Sequence, residues 1–197
     1  VSALNPSLPA GPRVLADVIP GDRVRDVLLV TGGAALTGLA AQASFTVTSI
    51  TPVPFTLQTF SVLLVGASLG WFRALLSIGL YVVAGVAGVP WFEGGASGFV
   101  GATSGYLYGF VAAAALVGWL SQRGDDRRYV SSVGQMAIGS AVIYAVGVPV
   151  LMYYADVGLA EGLAIGMAPF VLGDGLKLLA AAGLLPLTWK LVNRSTD

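Results

Sequence analysis

VLLVTGGAALTGLAAQASFTVTSITPVPFTLQTFSVLLVGASLGWF, residues 27–72, contains no aspartate, glutamate, lysine, arginine or histidine. A helix that crosses a bilayer needs about 20 consecutive apolar residues. The run is therefore long enough for two such helices, and the prolines of TPVP at 51–54 break it between them. The rest of the chain has the same character: its 197 residues are 56% hydrophobic and 10% charged, against about 25% charged in soluble domains. Further charge-free runs cover 74–92, 94–122 and 129–155, and after Glu161 the chain is apolar to Trp189 except for Asp174 and Lys177. The expectation is an all-α integral membrane protein of six transmembrane helices, near 27–46, 55–70, 73–89, 102–120, 131–154 and 167–189. They form one membrane domain over 27–190, between an N-terminal arm, 1–26, and a tail, 191–197.

Charge sets the expected orientation. Arg13, Arg23 and Arg25 precede the first span, Arg73 lies between the second and third, Arg123, Arg127 and Arg128 follow the fourth, and Lys190 and Arg194 follow the sixth. All fall on one side, whereas the opposite breaks carry Glu93, Asp156 and Glu161 and no basic residue. By the positive-inside rule both termini are cytoplasmic and the chain is multi-pass in the cell membrane. Trp71, Trp119 and Trp189 then mark the inner interface, and Trp91, Tyr153 and Tyr154 the outer one. The first 26 residues, with Pro6, Pro9, Pro12 and Pro20 among charges, read as a cytoplasmic arm rather than a secretory signal. Basic residues spread as topology signals do not make a nucleic-acid patch.

Several chemistries are excluded. Without cysteine or histidine there is no disulfide, no thiolate or imidazole metal site and no Ser-His or Cys-His dyad. No catalytic residue, metal or cofactor is expected. No Walker A string occurs, so uphill transport would draw on a partner or an ion gradient.

Within the spans one feature stands out. Of ten lysines and arginines only Lys177 lies inside an apolar segment, one helical turn from Asp174. A charge in hydrocarbon costs about 2.5–3.5 kcal/mol on insertion scales, so such residues face a partner, a cavity or a substrate. At i and i+3 the two can neutralise each other, or together they can meet a ligand. Gln58, just inside the second span, is either a helix–helix hydrogen bond or a ligand contact. The outer loop VPWFEGGASGF at 89–99 mixes aromatics with glycines; it can close over a ligand, with the N–H groups of Gly94 and Gly95 open to an anion, or simply anchor at the interface. Small residues at four-residue spacing, Ala34 and Gly38 in the first span, Gly101, Gly105 and Gly109 in the fourth and Gly158, Gly162 and Gly166 leading into the sixth, let helices approach closely. In the first span that means either internal packing or docking of another membrane protein.

Read together, AQASFTV at 41–47, TPVPFTLQTFSVLLVG at 51–66, YVVAGVAGVPWFEGG at 81–95, GATSGYLYGF at 101–110 and APFVLGDGLK at 168–177 resemble the BioY family, the biotin-specific substrate-binding components of energy-coupling factor (ECF) transporters. The resemblance spans most of the chain, and PVPFTLQT and the late GD..K are its most specific parts. It implies a six-helix protein that captures biotin from outside. Its implied partners are a transmembrane coupling subunit of the EcfT type, two cytoplasmic ATPase subunits and the lipid bilayer. It also implies a site in which Asp174 accepts from the cyclic urea and Lys177 reaches the urea oxygen or the carboxylate. Phe55, Tyr106 and Trp91 would wall the thiophane ring, Gln58 would add a polar contact, and Ala34 and Gly38 would face the coupling subunit. The chain departs from the family at Trp91, Phe92 and Glu93, where small or apolar residues are usual, and at Val171 and Leu172, where a proline near Gly173 is common. The alternatives are a component for another small vitamin and a stand-alone gradient-driven transporter.

Overall fold

A computed structural model describes residues 14–99 and 101–194. The expected apolar runs fold as seven α-helices: α1 Arg23–Gln42, α2 Gln58–Leu69, α3 Trp71–Val86, α4 Ser104–Ser121, α5 Tyr129–Ala155, α6 Leu159–Gly166 and α7 Val171–Arg194. Four stretches, Arg23–Gln42, Gly101–Ser121, Tyr129–Ala155 and Val171–Val192, are long and apolar enough to cross a membrane; α2 and α3 are apolar but shorter.

Specific residues set the breaks. Asp22 caps α1 by accepting from the Val24 N–H at 3.2 Å. Gly70, at φ +80°, ends α2 and starts α3 in a backbone region that side chains rarely adopt. Its turn is seated on α4: a Cβ at Gly118 would lie 2.5 Å from the Gly70 carbonyl carbon. Asp156, at φ +52°, ends α5. The TPVP segment does more than separate two spans, because it lies in the loop of a short antiparallel ribbon. Strand β1, Ser44–Phe45, pairs with β2, Phe55–Thr56, in the register Ser44↔Thr56 and Phe45↔Phe55.

The core lies between α2 and α4, where Val62, Ala67, Ala113, Ala114 and Val117 are fully buried. The exterior is apolar as well: Leu28, Leu39, Leu76, Leu172, Leu187 and Leu191 are exposed on the helices, as hydrocarbon surroundings permit.

The basic breaks gather at one end. Arg73 pairs with Asp17 at 2.9 Å and Asp26 at 3.1 Å, and Gly70 abuts Gln122 at the end of α4. The ribbon and the loop after α3 meet at the other end, where Ser44 donates to Glu93 at 3.1 Å.

Five expectations are corrected. Residues 14–18 are not a free arm, since Val14 and Ala16 are buried in the core; the arm's first 13 residues lie outside the described residues. Residues 191–194 continue α7 rather than forming a tail, and 195–197 lie outside the described residues. Gly158, Gly162 and Gly166 do not lead into the last span: Gly158 precedes α6, and Gly162 and Gly166 seat that helix on Met152 and Leu151 of α5. Trp189 does not face the interface, because it is 4% exposed and donates its indole N–H to the buried Asp126. Trp91 is turned inward too, donating to the Tyr81 carbonyl at 2.9 Å.

Ala34 and Gly38 are buried, so they face the protein's own interior and not a coupling subunit. A Cβ on Gly38 would lie 3.3 Å from the Cβ and ring of Trp91. The small residues serve close approach of α1 to its own fold, while Gly32, Ala35 and Leu36 lie on the exposed face. Gly38→Leu is therefore expected to lower stability by about 1–3 kcal/mol through overpacking. A thermal melt of the purified variant checks this; an unchanged melting temperature would show that Trp91 can move aside.

Candidate functional site

A cavity of about 360 Å³ opens at the ribbon end of the helices. Its size falls within the range of small-molecule sites, about 300–1,000 Å³. The α2 helix begins at the cavity because its first turn is preceded by the ribbon and not by more helix. Irregular backbone is tolerated at membrane depth where it lines a cavity or is buried in protein. The free carbonyl that results, on Thr56, is taken by Lys177, whose ammonium donates to it at 2.6 Å.

Asp174 and Lys177 lie on the first turns of α7 and both line the cavity. They pair at 2.9 Å, so the neutralising and the ligand-facing readings describe the same two side chains. Asp174 Oδ1 also accepts from Thr59 Oγ1 at 3.0 Å, and Oδ2 accepts from the Tyr144 hydroxyl. Lys177 reaches Thr59 Oγ1 at 3.4 Å. The carboxylate is 8% exposed as a residue, and the donors converging on it come from α2, α5 and α7. Tyr144 and Thr59 escape the sequence reading, since neutral hydroxyls in apolar helices carry no charge signal. The one available hint is that Tyr144 lies mid-helix, away from the interfacial belts where tyrosine concentrates.

Gln58 lines the cavity and donates to the Tyr81 hydroxyl at 2.8 Å, so it also bonds between helices. Tyr106 lines it with its hydroxyl committed to the Gly166 carbonyl at 2.7 Å, presenting its ring to the space. Phe110, Leu107 and Ile143 extend that apolar wall.

The other expected residues, Phe55, Trp91, Gly94 and Gly95, do not line the cavity. Phe55 is stacked between Phe45 at 4.9 Å and Phe170 at 4.5 Å, and Phe170 is the ring that lines the cavity. Trp91 and Phe92 both pack on Tyr81, and of the two it is Phe92 that lines the cavity. The Gln42 amide ties this stretch to α1 by donating to the carbonyls of both Trp91 and Phe92, at 3.1 and 2.9 Å. Gly94 and Gly95, at φ +65° and +76°, are exposed and turn the loop that brings Phe92, Glu93 and Ala96 over the cavity. Among the described residues no cluster of acidic side chains could hold a metal ion.

The BioY family model matches residues 13–194. The biotin transporter BioY of Thermotoga maritima is 39% identical over 134 residues, covering 66% of this chain and 78% of that protein. The probable biotin transporter BioY of Pyrococcus horikoshii is 36% identical over 162 residues, covering 81% of this chain and 93% of that protein. Among solved structures, the crystal structure of the S-component for biotin from an ECF-type ABC transporter aligns with a TM-score of 0.77, covering 85% of this chain and 92% of that one. At 20% identity this likeness establishes a shared fold.

Proposed function

The chain belongs to the BioY family, and from that premise we propose that it captures biotin in the cavity as the substrate-binding subunit of an ECF transporter. It is a multi-pass membrane protein of a transporter family and not an enzyme. In our reading α1 to α5 and α7 make six passes, with the basic end and both termini in the cytoplasm, and the cavity opens outward. The positive-inside rule supports this orientation.

The observation that carries the proposal is the unfilled acceptor that Asp174 presents in the cavity lining. A carboxylate offers about four lone-pair sites, and Asp174 receives Lys177, Thr59 and Tyr144, which leaves room on Oδ2 for one more donor. A cyclic urea N–H fits it, as a charge-assisted bond in a dry site. The weakest Lys177 bond, to Thr59 at 3.4 Å, is the one a urea oxygen can replace. The rings of Tyr106, Phe110, Phe92 and Phe170 then surround the thiophane. Equilibrium binding of labelled biotin to the purified chain tests this, with a thermal-shift screen of other small vitamins beside it. A larger shift with another vitamin, or none with biotin, would overturn the assignment.

Transport as opposed to capture is expected to need a coupling subunit and ATPases, because the chain has no nucleotide-binding string. Purified protein in liposomes with internal ATP should bind labelled biotin without concentrating it. Sustained accumulation in that experiment would favour the gradient-driven alternative.

A further inference from the structure

Among the described residues two acidic side chains are buried, Asp174 and Asp126, and the fold treats them in opposite ways. Asp174 receives a lysine and two hydroxyls. Asp126 is 0% exposed, no ion pair among the described residues engages it, and its Oδ1 has no hydrogen-bond partner. Its Oδ2 accepts from the indole N–H of Trp189. Asp126 lies in the short turn Asp125–Arg127, which packs against α4, α5 and α7 at the basic end of the helices. The α5 side of this junction offers neutral groups: Ser132 donates to the Asp125 carbonyl at 3.3 Å, and Gln135 accepts from Ser121 of α4 at 3.3 Å while its Nε2 is buried without a partner. The charged and titratable groups lie further out. Arg123, Arg127, Arg128, Tyr129 and Lys190 are exposed and Asp125 is half-buried; Arg123 lies over the Trp119 ring and Arg127 over the outer face of Trp189, 4.4 Å from its centroid.

A buried carboxylate without a counter-ion or a full set of donors is costly, and such a group keeps its proton in preference to its charge. Burial pushes the Asp126 carboxyl up from the usual carboxylate range, while the Trp189 bond, its own backbone and the Arg127 charge pull against that rise. The neutral acid still has an oxygen for the indole N–H, so the contact with Trp189 survives protonation. We propose that Asp126 is a proton-binding site whose neutral form fastens the end of α7 to the turn between α4 and α5, and whose ionisation loosens it. An ionised Asp126 is a buried charge that the turn relieves by opening to water. Pro186 interrupts the α7 hydrogen-bond ladder one turn before Trp189, so the last turns lean on this contact more than those of an unbroken helix. The same helix carries Asp174 and Lys177 on its first turns, which places the proton site at the opposite end of an element that lines the cavity. With no histidine or cysteine in the sequence, a side chain that titrates near neutrality is a strongly perturbed one.

Because the folded state keeps a proton that the unfolded chain releases, this part of the stability is full below the ordinary carboxylate range and is lost as pH rises through the folded-state pKa. Melting curves of the purified full chain between about pH 5 and about pH 9 should show the wild type losing about 3–6 °C. Asp126→Asn, the near-isostere of the neutral acid, should stay nearly level and melt above the wild type at the alkaline end. Tryptophan fluorescence gives a second readout: the wild-type emission should change over the same range, and Asp126→Asn and Trp189→Phe should each abolish the change. The infrared band of a protonated carboxyl group, persisting in the wild type above the ordinary carboxylate range and missing from Asp126→Asn, reports the proton itself. Parallel melting profiles, an emission indifferent to pH, or the lack of that band overturns the proposal. So does an Asp126→Asn protein that melts below the wild type throughout or fails to fold, since the fold would then need the charge. Biotin capture is measured on the wild type alone, so neither result decides the other.

Discussion

Asp174→Asn is expected to weaken biotin binding by roughly ten- to a hundredfold, the effect of losing a buried charge-assisted hydrogen bond of about 1.5–3 kcal/mol. The substitution preserves size, so the cavity keeps its shape and the loss reports chemistry. In the native site the carboxylate is surrounded by donors: Lys177 and Thr59 on one oxygen and Tyr144 on the other. An asparagine amide has one oxygen to serve them. Its NH₂ group must point at one of these donors or into the space reserved for a urea N–H, and in either position donor faces donor. The loss of negative charge also leaves Lys177, whose side chain is only 20% exposed, without its counter-ion. Isothermal titration of the variant with biotin measures the effect, alongside a melting curve to separate binding from folding. Unchanged affinity in a folded variant would remove Asp174 from the binding site.

The sequence exposes Asp174 because one rule, the cost of charge in hydrocarbon, applies to it and to Lys177 and to nothing else inside a span. The same clarity does not extend to neutral groups. Thr59 lies within the distinctive string TPVPFTLQTF, yet nothing about a threonine says that it will reach across to a residue on α7. Helical spacing states which residues share a face and leaves open which face turns inward. Ala34 and Gly38 do lie on one stripe, but the stripe is packed beneath Trp91 and α3, and the surface of α1 is the neighbouring stripe through Gly32 and Leu36. Between adjacent loop residues a single peptide decides the outcome. Phe92 lines the cavity and Trp91 does not, in a stretch whose carbonyls at both residues are held by Gln42 of α1. That bond joins residues far apart in the chain, and composition gives no sign of it. The approach to the last span takes its own form for a related reason: Gly162 and Gly166 admit Met152 and Leu151, so α6, which precedes the expected span at 167–189, packs as a separate helix on α5.

The role of Lys177 is open to a sharper test, because its two sequence-level assignments, urea end or carboxylate end, make opposite claims about an esterified ligand. Breaking a buried ion pair by removing one partner costs about 3–5 kcal/mol, and Lys177→Met is expected near the lower end because the lysine and aspartate side chains are 20% and 10% exposed. The loss should appear in biotin affinity as well as in the melting temperature, since the ammonium holds both the Asp174 carboxylate and the Thr56 carbonyl at the cavity. Biotin methyl ester then tells the assignments apart. If Lys177 gripped the ligand carboxylate, the ester would lose most of its affinity for the wild type and little more for Lys177→Met. With its N–H groups directed to Asp174, Thr56 and Thr59, the expected result is that the wild type binds the ester at least as well as biotin. Both ligands should then fall together in the variant, by a similar factor. An ester that fails on the wild type but matches biotin on Lys177→Met would place the lysine at the carboxylate and require its present bonds to be exchanged on binding.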